Sequence, residues 1–281
     1  MDYVKKTIPF FDPYKIAKSG QVFRFHPIDD HHSEVVAMGR YLQIACLGND
    51  EYAFSCGSSD FEKVWREYFD LDRDYIEIYN SVDSEDRYLT DSASFSYGIR
   101  ILKQDIWETV ISYIISQRRS IPSITTSVDR ISERFGTKIS IPELSSPFVR
   151  PLKDVYYAFP DVEQLSKASL QDITDTGVGY RAEYIMSAID DFRSGKITPE
   201  LLMSRNDEDL YNTLLSMHGI GKKVANCIML YSLGRCGMFP IDVWMQRIVD
   251  AYYNGRFPAE NYPETAGIMQ QFMFYYERNR P

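Results

Sequence analysis

The stretch Ser216 to Ser232, SMHGIGKKVANCIMLYS, constrains the fold more tightly than any other. Before it, Asp207 to Met217 puts Leu210, Leu214 and Met217 on one helical face. After it, Lys222 to Leu233 puts Val224, Cys227, Ile228 and Tyr231 on one face. Gly219-Ile-Gly221 breaks the rhythm between them, which predicts a tight turn joining two packed helices. Glycine permits positive φ and close backbone approach there. The second helix opens with unpaired N–H groups and a partial positive charge, a setting that suits a phosphate. A Walker loop fits poorly, because Ser216 is the fifth residue before Gly221 and a second lysine follows Lys222.

Lys222 and Lys223 stand where the helix dipole disfavours a cation, and each repels the other. Both effects lower an amine's pKa, and a lysine made partly neutral can attack an electrophilic carbon to form a Schiff base. Solvated surface lysines touching phosphates fit the turn equally well. A second segment, MFPIDVWMQRIV, bears on the choice. Pro240 ends one element, and Asp242 sits where the N-cap of the next helix belongs, Asp242 to Tyr252. A capping aspartate that also faces a cleft can stabilise a developing cation. Asp242 follows Lys223 by 19 residues.

The chain has 281 residues, 44% of them hydrophobic, enough for a sizeable core. No run approaches the ~18 apolar residues of a membrane span, and MDYVKKTIPFFDPYKI lacks the apolar core of a secretion signal. The expected setting is cytoplasmic, nucleoid-associated in a prokaryote, with no membrane partner and a monomer by default. Cys46, Cys56, Cys227 and Cys236 form no CxxC pair, so neither a disulfide framework nor a zinc ribbon is expected. The net charge of −9 argues at first against nucleic acid. Yet residues 1–98 hold 18 Asp+Glu and 10 Lys+Arg, a net of −8, leaving −1 for the remainder. A local basic surface is compatible with that distribution.

Gln21 to Cys56 is rich in β-branched and aromatic residues, with partial alternation in QVFRFHP, EVVAMGRYLQIACLG and EYAFSC, and Gly48-Asn-Asp50 reads as a turn. Antiparallel strands are expected. After the acidic stretch Ser81 to Asp91 the period becomes helical: DIWETVISYIISQ, SITTSVDRISERFG, Asp161 to Ile173, Arg181 to Ser194 and Thr265 to Arg278 join the helices above. The expected fold is α+β, an amino-terminal antiparallel β-sheet domain (1–92) followed by a mostly helical body (93–281).

HGIGKKVANCIMLYS with FPIDVWMQRI resembles the helix-hairpin-helix, Gly/Pro...Asp superfamily of DNA glycosylases, and the chain as a whole is similar to its 8-oxoguanine DNA glycosylase family. The resemblance implies that Lys223, directly before Val-Ala, is the catalytic nucleophile and Asp242 the catalytic aspartate. Gly219 and Gly221 would form the DNA-gripping hairpin, with Trp244 as a further candidate DNA contact. KSGQVFRF resembles the family's amino-terminal motif, which implies that the Gly20 carbonyl accepts the N7 hydrogen that guanine lacks. AGIMQQFMFYY implies Gln270 for the Watson–Crick edge and Phe274 for stacking, opposite Cys227, so the carboxy-terminal helix completes the base pocket. GVGYRAEYI implies that Tyr180 presses into the duplex and Arg181 contacts the opposite base. Each has a plainer alternative: Gly20 a turn glycine, Gln270 a surface residue beside the near-equivalent Gln271, Phe274 simply core.

SQRRSIPS departs from the family pattern. Arg118 and Arg119 replace asparagines and Ser123 stands in an arginine position, which loosens the expected preference for cytosine opposite the lesion. Arg118 is read as a phosphate contact. No cysteine follows Cys236, so no iron–sulfur cluster and no cofactor are expected. The resemblance implies that carbonyls of Met217, Gly219 and Ile220 can hold a monovalent cation. The expected activity is excision of 8-oxoguanine from double-stranded DNA by lysine attack at C1′, with strand nicking by β-elimination. Its rivals are a glycosylase for alkylated bases, whose known members usually lack the lysine, and a non-catalytic helix-hairpin-helix DNA-binding protein.

Overall fold

Two hairpins with left-handed turn residues organise the amino-terminal sheet. Strands β1 (Val4–Thr7), β2 (Phe25–Pro27), β3 (His32–Ala37), β4 (Arg40–Gly48) and β5 (Glu51–Phe54) form one antiparallel sheet in the order β1-β5-β4-β3-β2. The structure, a computed structural model, describes residues 3–280; residues 1–2 and 281, the outer limits of the two expected domains, lie outside them. Met38 and Gly39 turn β3 into β4 with φ of 52° and 69°, and Asn49 and Asp50 turn β4 into β5 with φ of 52° and 58°. Such turns match the natural twist of paired strands.

The alternation in β4 is only partial because both faces of the sheet are covered. Leu42 and Ile44 pack with Phe54, Phe61, Trp65 and Phe69 on one side. On the other, Tyr41 packs with Ile139 and Tyr156, from a small ribbon of β6 (Lys138–Ile139) and β7 (Tyr156–Tyr157), and Ala45 packs with Phe148. The buried Glu34 carboxylate ties this layer down, accepting from Tyr41 Oη at 3.0 Å, Leu152 N at 3.1 Å and Tyr156 Oη.

An antiparallel sheet followed by a mostly helical body is the expected α+β class. Three details differ from expectation. Val4–Thr7 adds an edge strand that its lysines conceal. Of QVFRFHP only Phe25–Pro27 is a strand. The buried Gln21 side chain instead accepts from Leu102 N at 2.8 Å and donates to Arg100 O at 2.9 Å, which holds Gln21 to Arg24 as an irregular connection. The helix expected over Asp161 to Ile173 is two single turns, Val162–Leu165 and Leu170–Ile173, because Ser169 forms a second capping box with Asp172 and restarts the chain.

The helices that build the site are α1 (Pro13–Lys18), α2 (Arg87–Phe95), α3 (Ile106–Ser116), α4 (Ile121–Phe135), α5 (Arg181–Arg193), α6 (Asp207–Ser216), α7 (Lys222–Tyr231), α8 (Val243–Tyr252) and α9 (Ala266–Asn279). Helix α2 runs across the expected division at 92–93 and packs on α9, where Tyr88 Oη donates to Glu277 Oε2 at 2.8 Å and Ser96 Oγ to Phe272 O at 2.9 Å. One continuous core, including Val110, Ile114, Ile228, Met269 and Phe272, joins these helices. Among the described residues no helix is long and apolar enough to cross a membrane.

Candidate active site

Helices α6 and α7 meet at the glycine turn as expected, but the two glycines act differently. Gly219 has φ of 85°, and a Cβ there would lie 2.3 Å from the Tyr184 ring. Both conformation and space demand glycine. Gly221 is extended, with φ of −95° and ψ of 176°, and a Cβ on it would meet nothing within 4 Å. Its backbone imposes no demand; the missing side chain leaves the first turn of α7 uncovered, and no side chain caps that helix.

Lys223, in that first turn, points its Nζ over the Tyr113 ring, 5.0 Å from the centroid. Tyr113 is buried, stacks on Tyr231 at 5.6 Å and donates to Gln21 O at 3.0 Å, so it makes a fixed floor. Cys227 is buried one turn beyond Lys223. Burial pushes its thiol pKa up, and the Lys223 charge opposes this.

Asp242 is the N-cap of α8: its Oδ1 accepts from Trp244 N and Met245 N, both at 2.9 Å. It also lines the same cavity of about 670 Å³ as Lys223, Gly20, Phe274, Arg118 and Trp244. Cap and cleft are therefore compatible, since one carboxylate oxygen makes both cap bonds. Ile241, Val243 and Trp244 form an apolar rim at 43%, 68% and 45% exposure, a surface that a soluble protein covers when it binds.

The opposite wall comes from the chain's two ends. Gly20 has φ of 82°, and a Cβ there would be 3.2 Å from Phe274 Cε1. Its turn geometry and its place in the cavity thus coincide. Gln270 and Gln271 on α9 are both buried, which corrects the surface alternative for Gln270. They are not equivalent. Gln271 donates to Ser19 O at 3.0 Å and accepts from Tyr231 Oη at 2.8 Å, tethering α9 to the residue before Gly20. Gln270 Oε1 has no partner among the described residues. An orphaned buried acceptor costs roughly 1–3 kcal/mol; Gln270 and Cys227 both lie behind the cavity and are not among the residues that line it. Phe274 is half-buried and faces the cavity, not the core alone.

Tyr180 stands 54% exposed at the start of α5, after Gly177 and Gly179 with φ of 87° and 63°. Arg181 turns inward: it is buried, donates through Nε to Gln117 O at 3.0 Å and through Nη1 to Val178 O at 3.0 Å, and lies 4.4 Å from the Tyr180 ring. Contact with an opposite base requires those bonds to open. Burial lowers its pKa and Tyr180 opposes this. Gln117 also donates to Gly219 O at 2.9 Å, linking the Tyr180 loop to the glycine turn. Arg118 adopts φ of 53°, uncommon outside glycine, at the cavity edge, while Arg119 donates to Ser127 Oγ at 2.9 Å.

At the turn, Met217 O accepts from Ile220 N at 3.2 Å and Gly219 O from Gln117. With Ile220 these carbonyls are neutral oxygens, a donor set that suits a hard monovalent cation. No cluster of three His, Cys, Asp or Glu able to hold a metal occurs among the described residues. Sequence reasoning placed Tyr113 on a buried face and missed it as the floor; it also missed Phe23, Gln117 and Ile121 as cavity lining. Only the apolar run around Tyr113 hinted at the first.

Residues 4–110 match the family model for the 8-oxoguanine DNA glycosylase N-terminal domain. A probable N-glycosylase/DNA lyase of Methanothermobacter thermautotrophicus is 31% identical over 233 residues, 75% of this chain and 72% of that protein. The N-glycosylase/DNA lyase of Saccharomyces cerevisiae is 30% identical over 214 residues, 70% of this chain and 53% of its own, so the match spans about half of the yeast protein. Among solved structures, the 8-oxoguanine glycosylase/lyase of Clostridium acetobutylicum in its apo form superposes with a TM-score of 0.89 at 32% identity, covering 98% of this chain and 96% of that one. Its complex with double-stranded DNA containing cytosine opposite 8-oxoguanine gives 0.88 at 30% identity, covering 99% and 98%.

Proposed function

The chain belongs to the 8-oxoguanine DNA glycosylase family, and from that premise we infer that it excises 8-oxoguanine from double-stranded DNA and nicks the strand through lysine chemistry. The observation that carries this reading is the single cavity shared by Lys223, Asp242, Gly20 and Phe274. A base reaches it only out of the stack, at a cost of a few kcal/mol that is smaller for a damaged base. Tyr180 fills the vacated space. The uncovered first turn of α7 and Arg118 hold the phosphate backbone, and the Met217, Gly219 and Ile220 carbonyls would hold a monovalent cation that adds positive charge there.

In the pocket the base stacks on Phe274, and its Watson–Crick donors satisfy the orphaned Gln270 Oε1. The Gly20 carbonyl accepts from N7–H. Guanine offers a lone pair there, a mismatch of roughly 1–3 kcal/mol. The Lys223 Nζ lone pair bonds to C1′ as the C1′–N9 electron pair leaves with the base, and the proton that Nζ sheds on bonding passes to the base. The free Asp242 oxygen stabilises the cationic sugar. The aminal opens at C1′–O4′, with a proton to O4′, giving the protonated Schiff base. Loss of a C2′ proton then expels the 3′ phosphate.

Borohydride trapping on duplexes with 8-oxoguanine opposite each of the four bases tests this. Wild type should give a covalent band that needs the lesion, and Lys223→Gln should give none while still binding the lesion. Unchanged trapping in the variant would sink the nucleophile assignment. Band intensity across the four partners measures opposite-base preference. With Arg181 turned inward and Ser123 in an arginine position, we expect it to be shallow.

A further inference from the structure

Arg278 lies one turn beyond Phe274 on α9 and has no part in the roles above. Its guanidinium carbon stands over the Phe274 ring, 5.2 Å from the centroid. A Cβ built on Gly20 would meet Arg278 Nη1 at 3.0 Å and Phe274 Cε1 at 3.2 Å. The guanidinium therefore stands beside Gly20 and Phe274, at the edge of the pocket that those two line. Two residues on, Arg280 is tied to Glu277 at 2.8 Å; Arg278 has no such partner among the described residues, so its N–H donors are free. Arg278 is an exposed residue. Partial desolvation lowers the guanidinium pKa and the Asp242 charge opposes this, but the group stays protonated.

8-Oxoguanine differs from guanine at two adjacent atoms: N7 carries a hydrogen, and C8 carries an oxygen. An acceptor beside a donor is the complement of that edge. The Gly20 carbonyl supplies the acceptor, and the free guanidinium next to Gly20 supplies the donor. Resting on the reading that 8-oxoguanine is the substrate, we propose that Arg278 is a specificity-determining residue whose guanidinium donates to the C8 oxygen while the Gly20 carbonyl accepts from N7–H. Guanine presents a C–H at that position and leaves the guanidinium unmatched. The charge also lies where electron density collects on the base as the glycosidic bond breaks. A guanidinium that merely fills the empty pocket, or one that grips a phosphate, behaves differently on substitution.

The experiment measures kcat/KM for wild type, Arg278→Ala and Arg278→Lys on two duplexes that differ at one position, one with 8-oxoguanine and one with an abasic site. Arg278→Ala should lose roughly 10- to 100-fold more on 8-oxoguanine than on the abasic duplex, and Arg278→Lys should recover part of the difference. Equal losses on both duplexes would indicate a phosphate contact and overturn the assignment. A gain on 8-oxoguanine would mark a plug and overturn it too. Wild type that cleaves the abasic duplex but leaves 8-oxoguanine in place would remove the substrate reading itself, and this inference with it, before any substitution is compared.

Discussion

The two walls of the cavity are built by opposite strategies. The wall to which the proposed chemistry is assigned is local: Lys223 and Asp242 line it from one short stretch, and the turn before Lys223 is fixed by Gly219 against Tyr184. The wall proposed to read the base is assembled from segments near the two ends of the chain. Gly20 follows α1 and Phe274 lies on α9, and the Gln271–Ser19 hydrogen bond spans a separation of 252 residues. A reactive group needs a fixed setting but little context, so a helix turn suffices. Base discrimination needs several groups converging around one planar ligand, which a single helix cannot supply. The chemistry and the selectivity of this protein should therefore fail independently.

The largest effect should come from the turn. Gly219→Ala forces a left-handed conformation on alanine and drives its Cβ into the Tyr184 ring, with 2.3 Å available. A loss of about 3 kcal/mol is expected, which for a domain of this size lowers Tm by roughly 6–12 °C. Gly221→Ala should leave Tm within about 1 °C, because its backbone is extended and its surroundings open. It should instead weaken duplex binding by covering the first turn of α7. Thermal melts of both variants beside a salt titration of DNA affinity separate the two glycines; equal Tm losses would refute their distinct roles.

The contrast also explains what could be read in advance. Helical spacing around Leu210, Leu214, Val224 and Ile228 announces the hairpin, since the relevant contacts are a few residues apart. The antiparallel sheet was legible from its β-branched runs, but not its edge strand Val4–Thr7, whose consecutive Lys5 and Lys6 break any apolar alternation. Gln270 against Gln271 was not separable by type or spacing. Only the fold shows that one bonds Ser19 and Tyr231 while the other keeps an open acceptor. Arg181 matched its motif, yet its inward turn depends on Gln117, 64 residues away. Asp161 to Ile173 misled because its apolar period continues through Ser169, where a hydrogen-bonded cap overrides it.

A pH test addresses the reading wall from behind. Glu108 in the first turn of α3 lies 3.4 Å from Arg24, next to the cavity residue Phe23. Burial raises its pKa from 4.5 to about 7, with the Arg24 charge opposing. A carboxyl whose folded pKa exceeds its unfolded value binds its proton more tightly when folded. The stability from this group is thus fully present below about pH 4.5 and is lost as pH rises through about 7. The loss should be roughly 2 kcal/mol after allowing for the partly exposed side chain. Denaturant melts at pH 4.5, 6 and 8 should show that slope in wild type, and Glu108→Gln should flatten it. A slope that survives the substitution would place its origin elsewhere.

A modest effect on stability should be the most telling about selectivity. Gln271→Ala leaves Ser19 O and Tyr231 Oη unpaired at a cost of roughly 1–2 kcal/mol. Neither atom touches Lys223 or Asp242, so cleavage of an abasic duplex, which has no base to read, should stay within a factor of two. Excision of 8-oxoguanine should fall about tenfold, since Gly20 loses its tether to α9 and the Gly20–Phe274 spacing loosens. Gln271→Glu sharpens the point. It keeps an acceptor for Tyr231 Oη but sets a carboxylate oxygen against the Ser19 carbonyl, so it should lose at least as much selectivity as the alanine variant. If both variants slow abasic cleavage as much as base excision, the two walls are one mechanical unit and their proposed independence is wrong.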